Sequence, residues 1–144
     1  KRYIDDKIRQ HAGKIEYLGP VYNAQKDDFF QSIDCFLFPS RIDSWGIVLN
    51  EALSYAVPVI SIDRACVPCL IGEGGHVVAS SVSFAQRAAG LIANWIELPV
   101  GYQAARTAAE RRGKQLELST SLAMDYLART VAGTLEHSPE LVGK

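Results

Sequence analysis

Residues 38–63 read FPSRIDSWGIVLNEALSYAVPVISID, and the fold turns on how this stretch is divided. Its left edge closes the short apolar run CFLFPS (35–40), which Pro39 and Ser40 terminate. Its right edge, PVISID (58–63), is a second apolar run. Both suit strands of a parallel sheet, covered on both faces. Between them, residues 45–56 have the spacing of a helix stopped near Pro58. Strand, helix, strand is a βα unit on a parallel sheet, with a right-handed crossover expected. One residue sits badly in this picture. Glu51 lies among Ile47, Val48, Leu49, Ala52 and Leu53, and a carboxylate in such company is costly unless something pairs with it.

Working outward, residues 2–12 read as a helix with Ile4 and Ile8 on one face. IEYLG (15–19) reads as a short strand ending at Gly19, and residues 25–33 as a helix. Residues 65–72 predict a turn or short helix, and HVVA (76–79) a short strand at most. SFAQRAAGLIANWI (83–96) is amphipathic, with Phe84, Ala88, Leu91, Ile92 and Trp95 on one face as core rather than as a cofactor box. Residues 100–136 predict two helices broken near Gly113. The expected class is α/β, a Rossmann-like parallel sheet flanked by helices. Three or four strands make a thin sheet for such a domain, so further strands are expected upstream of Lys1. The first residue is not Met, which points to a processed chain or a fragment. The division expected is a partial ligand-binding domain over 1–136 and a flexible tail over 137–144.

The chain has 144 residues, 48% of them hydrophobic, and a net charge of −1. That length suits one domain with a sizeable core. The charge leaves no basic footprint for nucleic acid or an anionic membrane. No apolar run reaches membrane-spanning length and the start is no signal peptide. Three cysteines, an odd number, argue for a reducing compartment rather than a disulfide framework.

Sheets of this class bind ligands beyond the carboxyl ends of their strands. Here that place is the loop RIDSW, followed by a helix start at Gly46. Amides at a helix start suit phosphate, and Gly46 lets a ligand approach the backbone. Glu51 lies one turn beyond Ile47 and Val48, and helical side chains lean toward the N-terminus. It can therefore reach toward the site and accept hydrogen bonds from sugar hydroxyls. With Asp43 in the loop, this points to a nucleotide-sugar site. Asp43 or Ser44 can instead simply cap the helix, and Trp45 can be packing or lining.

The whole stretch resembles the signature of retaining glycosyltransferases of family 4, which have the GT-B fold. The family pattern runs roughly P-S-x-x-E-G-F-G-x-x-x-x-E-A-x-x-x-G-x-P-V-I. Pro39, Ser40, Trp45, Gly46, Glu51, Ala52, Pro58, Val59 and Ile60 fall in register with it. YLGPV, IDCFLFPS and IGEGGHVV resemble flanking family segments. The resemblance covers residues 1 to about 136, and the combined signature is specific where each piece alone is weak.

The resemblance implies the donor-binding C-terminal half of a GT-B enzyme, with its first strand, its basic phosphate ligands and the acceptor-binding domain lying before Lys1. It implies transfer of a sugar from a nucleoside diphosphate to an acceptor such as a glycan or lipid-linked glycan, with retention and without a metal or other cofactor. Asp43 and Glu51 are the catalytic candidates. Asp43 stands where the family Glu meets the donor sugar, one methylene shorter. Glu51 matches the Glu that binds the ribose hydroxyls. The donor-binding candidates are Val21, Tyr22 and Lys26 around the base, Ser44 in place of a Gly, the amides of Trp45, Gly46 and Ile47, and Arg41 by position alone. Ala56 replaces a usual Gly and implies a backbone near the left-handed region. Pro68 matches a family Pro, and Cys69 stands where a Glu often follows. The implied location is cytoplasmic, at the inner face of the membrane through the absent domain, in polysaccharide biosynthesis.

Other readings stand beside these. Cys66-Val-Pro-Cys69 has redox or zinc spacing, but only Cys35 and His76 are near candidates for further zinc ligands. The expected role of the pair is that of small residues on the loop facing the donor. His11, His76 and His137 show no triad context, and Glu110, Arg111, Arg112 and Lys114 read as a solvated helix face. A non-catalytic interaction domain that keeps the fold is the alternative function. A flavodoxin-like or dinucleotide-binding protein is a third, against which no G-x-G-x-x-G follows any strand. Apolar surface exposed by the absent strands is expected to favour self-association.

Overall fold

The computed structural model describes residues 2–42 and 46–136. The chain divides into two compact units, Lys1–Ser32 and Ile33–Lys144.

The first unit holds helices α1 (Arg2–Gln10) and α2 (Ala24–Ser32). Asn23, with φ of 50°, opens α2, and its carbonyl accepts from the Lys26 amide at 2.9 Å. Phe30 is buried, and its ring meets Phe29 edge-on at 5.2 Å. The strand expected over IEYLG is not formed; residues 15–19 are irregular. A strand needs a neighbour to satisfy its amides and carbonyls, and this unit offers no second strand among its described residues.

In the second unit the order is β1 (Phe36–Phe38), α3 (Ile47–Ser54), β2 (Val59–Ile62), α4 (Val67–Ile71), a 3-10 turn (Gly72–Gly74), β3 (Gly75–Val78), α5 (Phe84–Glu97) and α6 (Pro99–Glu136). The three strands form one parallel sheet in the order β1-β2-β3. Leu37 aligns with Ile60, and Ile60 with His76. The class is α/β, as expected. The central strand β2 is buried at all four positions, which explains why its residues are apolar on both faces except for Ser61. Burying a side chain such as Ile60 contributes roughly 1.5–3 kcal/mol. The expectation of two covered faces fails for β1, where Leu37 is 44% exposed. Among the described residues β1 is an edge strand, and only the central strand is covered on both faces.

Helix α5 starts at Ser83, whose side chain accepts from the Gln86 amide. Its Phe84, Ala88, Leu91, Ile92 and Trp95 pack with Ile60, Val78 and Cys35. This is the face read from periodicity.

Helix α3 ends in a left-handed residue. The Ala56 amide donates to the Leu53 carbonyl and the Val57 amide to the Ala52 carbonyl, each at 3.0 Å. These are the two bonds of a Schellman close, and they put Ala56 at φ 57°. A Cβ in that region costs about 1–2 kcal/mol, while glycine gives back roughly 0.5–1 kcal/mol through its freer unfolded chain. Ala56→Gly is therefore expected to stabilise by about 0.5–1 kcal/mol, read as a higher urea midpoint at unchanged slope. A lower midpoint would show that the Ala56 methyl packs well enough to outweigh its strain.

The break expected near Gly113 is absent. α6 runs unbroken for 38 residues, about 57 Å at 1.5 Å per residue. Gly113 is there for contact. It is buried, and a Cβ on it would overlap the Leu53 carbonyl oxygen and lie 2.8 Å from the carbonyl carbon. With buried Ala109 one turn earlier, it lets α6 cross the last turn of α3 at backbone distance. The inward face of α6 ends near Leu116, and residues 117–132 are exposed. Arg112, read as surface charge, instead turns toward α4. Its Nε donates to the Leu70 carbonyl at 2.9 Å and its Nη2 to the Cys69 carbonyl at 2.6 Å. These are carbonyls that a helix end leaves without intrahelical partners. The expected flexible tail, 137–144, lies outside the described residues.

Candidate functional site

The site lies where β1 ends and α3 begins. Buried Ser61 on β2 donates from Oγ to the Phe38 carbonyl at 2.9 Å, tying down the last residue of β1. Beyond it, Ser40 Oγ donates to the Ile42 carbonyl at 3.1 Å and tightens the loop. Arg41 and Ile42 are exposed. Asp43, Ser44 and Trp45 lie outside the described residues.

Gly46 is the N-cap of α3, with φ 57° and ψ 33°. It is buried, and a Cβ there would sit 3.0 Å from Leu49 Cδ1. The left-handed backbone favours glycine, and an added Cβ would need the end of the Leu49 side chain to give by a few tenths of an ångström. The Gly46 carbonyl accepts from the Leu49 amide at 2.8 Å and closes the first turn. Ahead of that bond, the opening amides of α3 belong to the class of donors that a helix start presents outward. Aligned peptide dipoles give such an end a partial positive charge, so it suits an anion.

Glu51 is half-buried on α3. It lines an open groove of about 550 Å³ with Asn50 and Ser54 of its own helix and with Gly113, Leu116, Glu117, Thr120 and Ser121 of α6. Ser54 Oγ donates to the Glu51 carbonyl at 2.7 Å. Carboxylates, an amide and hydroxyls together can bind a polyhydroxylated group. The polar residues of α6 in this groove, Glu117, Thr120 and Ser121, were missed by sequence reading. They face Glu51 because of the crossing at Gly113, and no local pattern carries that.

Three further donor-binding candidates fall in the first unit. Val21 is half-buried in a groove of about 370 Å³ with Leu18, Gln25, Asp28, Phe29 and Ser32. Tyr22 is exposed, and Lys26 is half-buried in the first turn of α2. In the second unit Ile47, 68% exposed at the first position of α3, presents its backbone beside Gly46.

Cysteine chemistry divides by place. Cys35 precedes β1 at the amino end of the sheet, and burial, then the Asp34 carboxylate, pushes its thiol up to about 11. Near pH 8 such a thiol is ionised in about one molecule in a thousand, and the thiolate is the nucleophile. Iodoacetamide is therefore expected to modify exposed Cys69 well before Cys35, as followed by peptide mass; equal rates would contradict the burial. Among the described residues no group of three or more His, Cys, Asp or Glu is placed to hold a metal ion.

Residues 1–94 match a family described as Glycosyl transferases group 1. A 76-residue stretch is 38% identical to an uncharacterized 41.2 kDa protein in the cps region of Klebsiella pneumoniae. The alignment covers 49% of this chain and 21% of the relative, so the chain matches about a fifth of the relative's length.

Proposed function

This chain belongs to the glycosyl transferases of group 1, and from that premise we propose that it is the donor-binding part of a retaining enzyme with the GT-B fold. In this reading, residues 1–136 form most of the C-terminal, nucleotide-sugar-binding domain of a family 4 transferase. The whole enzyme moves a sugar from a nucleoside diphosphate to a glycan or lipid-linked glycan in polysaccharide biosynthesis, a reading supported by the relative's place in a cps region.

One observation carries the proposal. A left-handed glycine opens α3 at the carboxyl end of a parallel sheet, and Glu51 follows on the same helix above a groove lined with polar side chains. As the glycosidic bond breaks, negative charge gathers on the leaving diphosphate. The amides around Gly46 and Ile47 stabilise it by fixed dipoles, without reorganisation. Arg41 adds a positive charge at the loop. Glu51 accepts from the ribose hydroxyls, and Asp43 meets the transferred sugar. Donor-binding roles for Ser44 and Trp45, and base-binding roles for Val21, Tyr22 and Lys26, rest on the family resemblance alone. Chemistry of this kind needs no metal. Among the described residues no helix is long and apolar enough to cross a membrane. We place the enzyme in the cytoplasm, at the inner face of the membrane through its acceptor domain.

Ligand-observed NMR with UDP, GDP, ADP and their sugar conjugates tests the reading on this chain and on the full-length protein. Binding of one nucleotide, lost in Glu51→Ala, is the expected result. Silence of the full-length protein toward every nucleotide would leave the second reading, a non-catalytic interaction domain. Six large apolar side chains exposed on the second half of α6, Leu118, Leu122, Met124, Tyr126, Leu127 and Val131, favour that one. They also lead us to expect self-association of this chain, against which a clean monomer in sedimentation at high concentration would count.

A further inference from the structure

We propose that Cys66 and Cys69 form a reversible dithiol–disulfide couple at the carboxyl end of the sheet. The turn after β2 passes through Ala65, with φ of 47°, and delivers Cys66 to the N-cap of α4 and Cys69 to its third residue. Cys66 has helical backbone angles, φ −85° and ψ −3°, and its carbonyl accepts from the Leu70 amide at 2.9 Å. The two cysteines are thus one regular turn apart. Helix geometry at that spacing puts their Cα atoms about 5 Å apart, within the roughly 4.4–6.8 Å that a disulfide spans. Pro68 stands between them with its φ locked, so little chain entropy is lost on closure. The third cysteine is remote in chemistry and place: Cys35 lies at the opposite, amino end of β1 with its thiol held protonated by burial. No third metal-ligating group joins the pair among the described residues, which separates a redox couple from a zinc site.

Exposure sets the order of events. Cys69 is exposed and Cys66 half-buried. The Cys69 thiolate attacks a low-molecular-weight disulfide such as oxidised glutathione; its S–S bond breaks and one glutathione thiolate leaves. The Cys66 thiolate then attacks the Cys69 sulfur and expels the second glutathione. Two protein thiols lose two electrons and two protons, and glutathione disulfide gains both as two thiols.

The couple adjoins the opening of α3. A Cβ on Gly46 would lie 3.6 Å from Leu70 Cδ2, and Arg112 holds the carbonyls of Cys69 and Leu70. Cross-linking this turn acts on the residue that packs beside the α3 N-cap. An effect on donor affinity rests on the donor-site reading; the thiol chemistry does not.

Incubation with oxidised glutathione, alkylation of the remaining thiols, then intact mass and peptide mapping test the couple. The expected product has lost the mass of two hydrogens, carries a Cys66–Cys69 link, leaves one alkylatable thiol at Cys35, and reverts with dithiothreitol. Cys66→Ser should stop at a stable glutathione adduct on Cys69. Unchanged mass, or a persistent glutathione adduct in the unsubstituted protein, would overturn the proposal. Mass reads the thiols alone, so failure of nucleotide binding leaves this result standing, and the reverse.

Discussion

Gly113→Ala is expected to destabilise the protein by about 3 kcal/mol or more, because the new methyl must displace backbone. The atoms it meets are the Leu53 carbonyl and the Ser54 Cα at 3.2 Å, and neither can rotate away as a side-chain end can. The same Leu53 carbonyl accepts the Ala56 amide that closes α3. Pushing it aside loosens the end of α3 and the seat of α6 together. A melting temperature lower by about 10 °C is the expected reading for a chain of this size. Gly90→Ala is the internal control. Gly90 lies mid-helix in α5 with nothing within 4 Å of an added Cβ, so alanine there should stabilise by about 0.5–1 kcal/mol. If both substitutions stabilised alike, Gly113 would be an ordinary helix glycine and the crossing of α3 and α6 would be wrong.

The second large effect concerns Glu51. In the full-length protein Glu51→Ala is expected to weaken donor binding roughly 10- to 100-fold, since a hydrogen bond to a charged group is worth about 1.5–3 kcal/mol. Calorimetric titration with the nucleotide found by NMR measures it. Glu51→Gln keeps the shape and one acceptor, so it should fall between. The melting temperature should change little in either variant, because Glu51 is only half-buried above an open groove. Unchanged affinity in both variants would move the ribose to other residues and remove the main support for a donor site on α3.

The question that Glu51 raises in an apolar stretch has a structural answer. Leu49, Ala52 and Leu53 take the buried face of α3, while Glu51 stands beside the groove. Eight residues of helix have room for both. What the helical pattern could not show is the other wall of that groove, because the part of α6 that forms it, from Gly113 on, comes more than sixty positions later in the chain.

Two kinds of information separate here. The amino-acid sequence by itself determined the α/β alternation, the buried strand Val59–Ile62, the face that α5 turns to the sheet and the glycine at the α3 start, while the left-handed turn at Ala56 was implied only by the family resemblance. Each is local: periodicity, a stop signal or a backbone angle is written within a few residues of where it acts. Only the tertiary structure decided that α6 runs unbroken past Gly113, that Arg112 serves α4, that β1 is an edge strand, that IEYLG is left without a strand, and that polar residues of α6 face Glu51. Each of these depends on which distant backbone arrives alongside, and at what distance. A glycine in a helix reads the same whether it breaks the helix or admits a neighbour, and only the neighbour's carbonyl, in place against Gly113, tells the two apart.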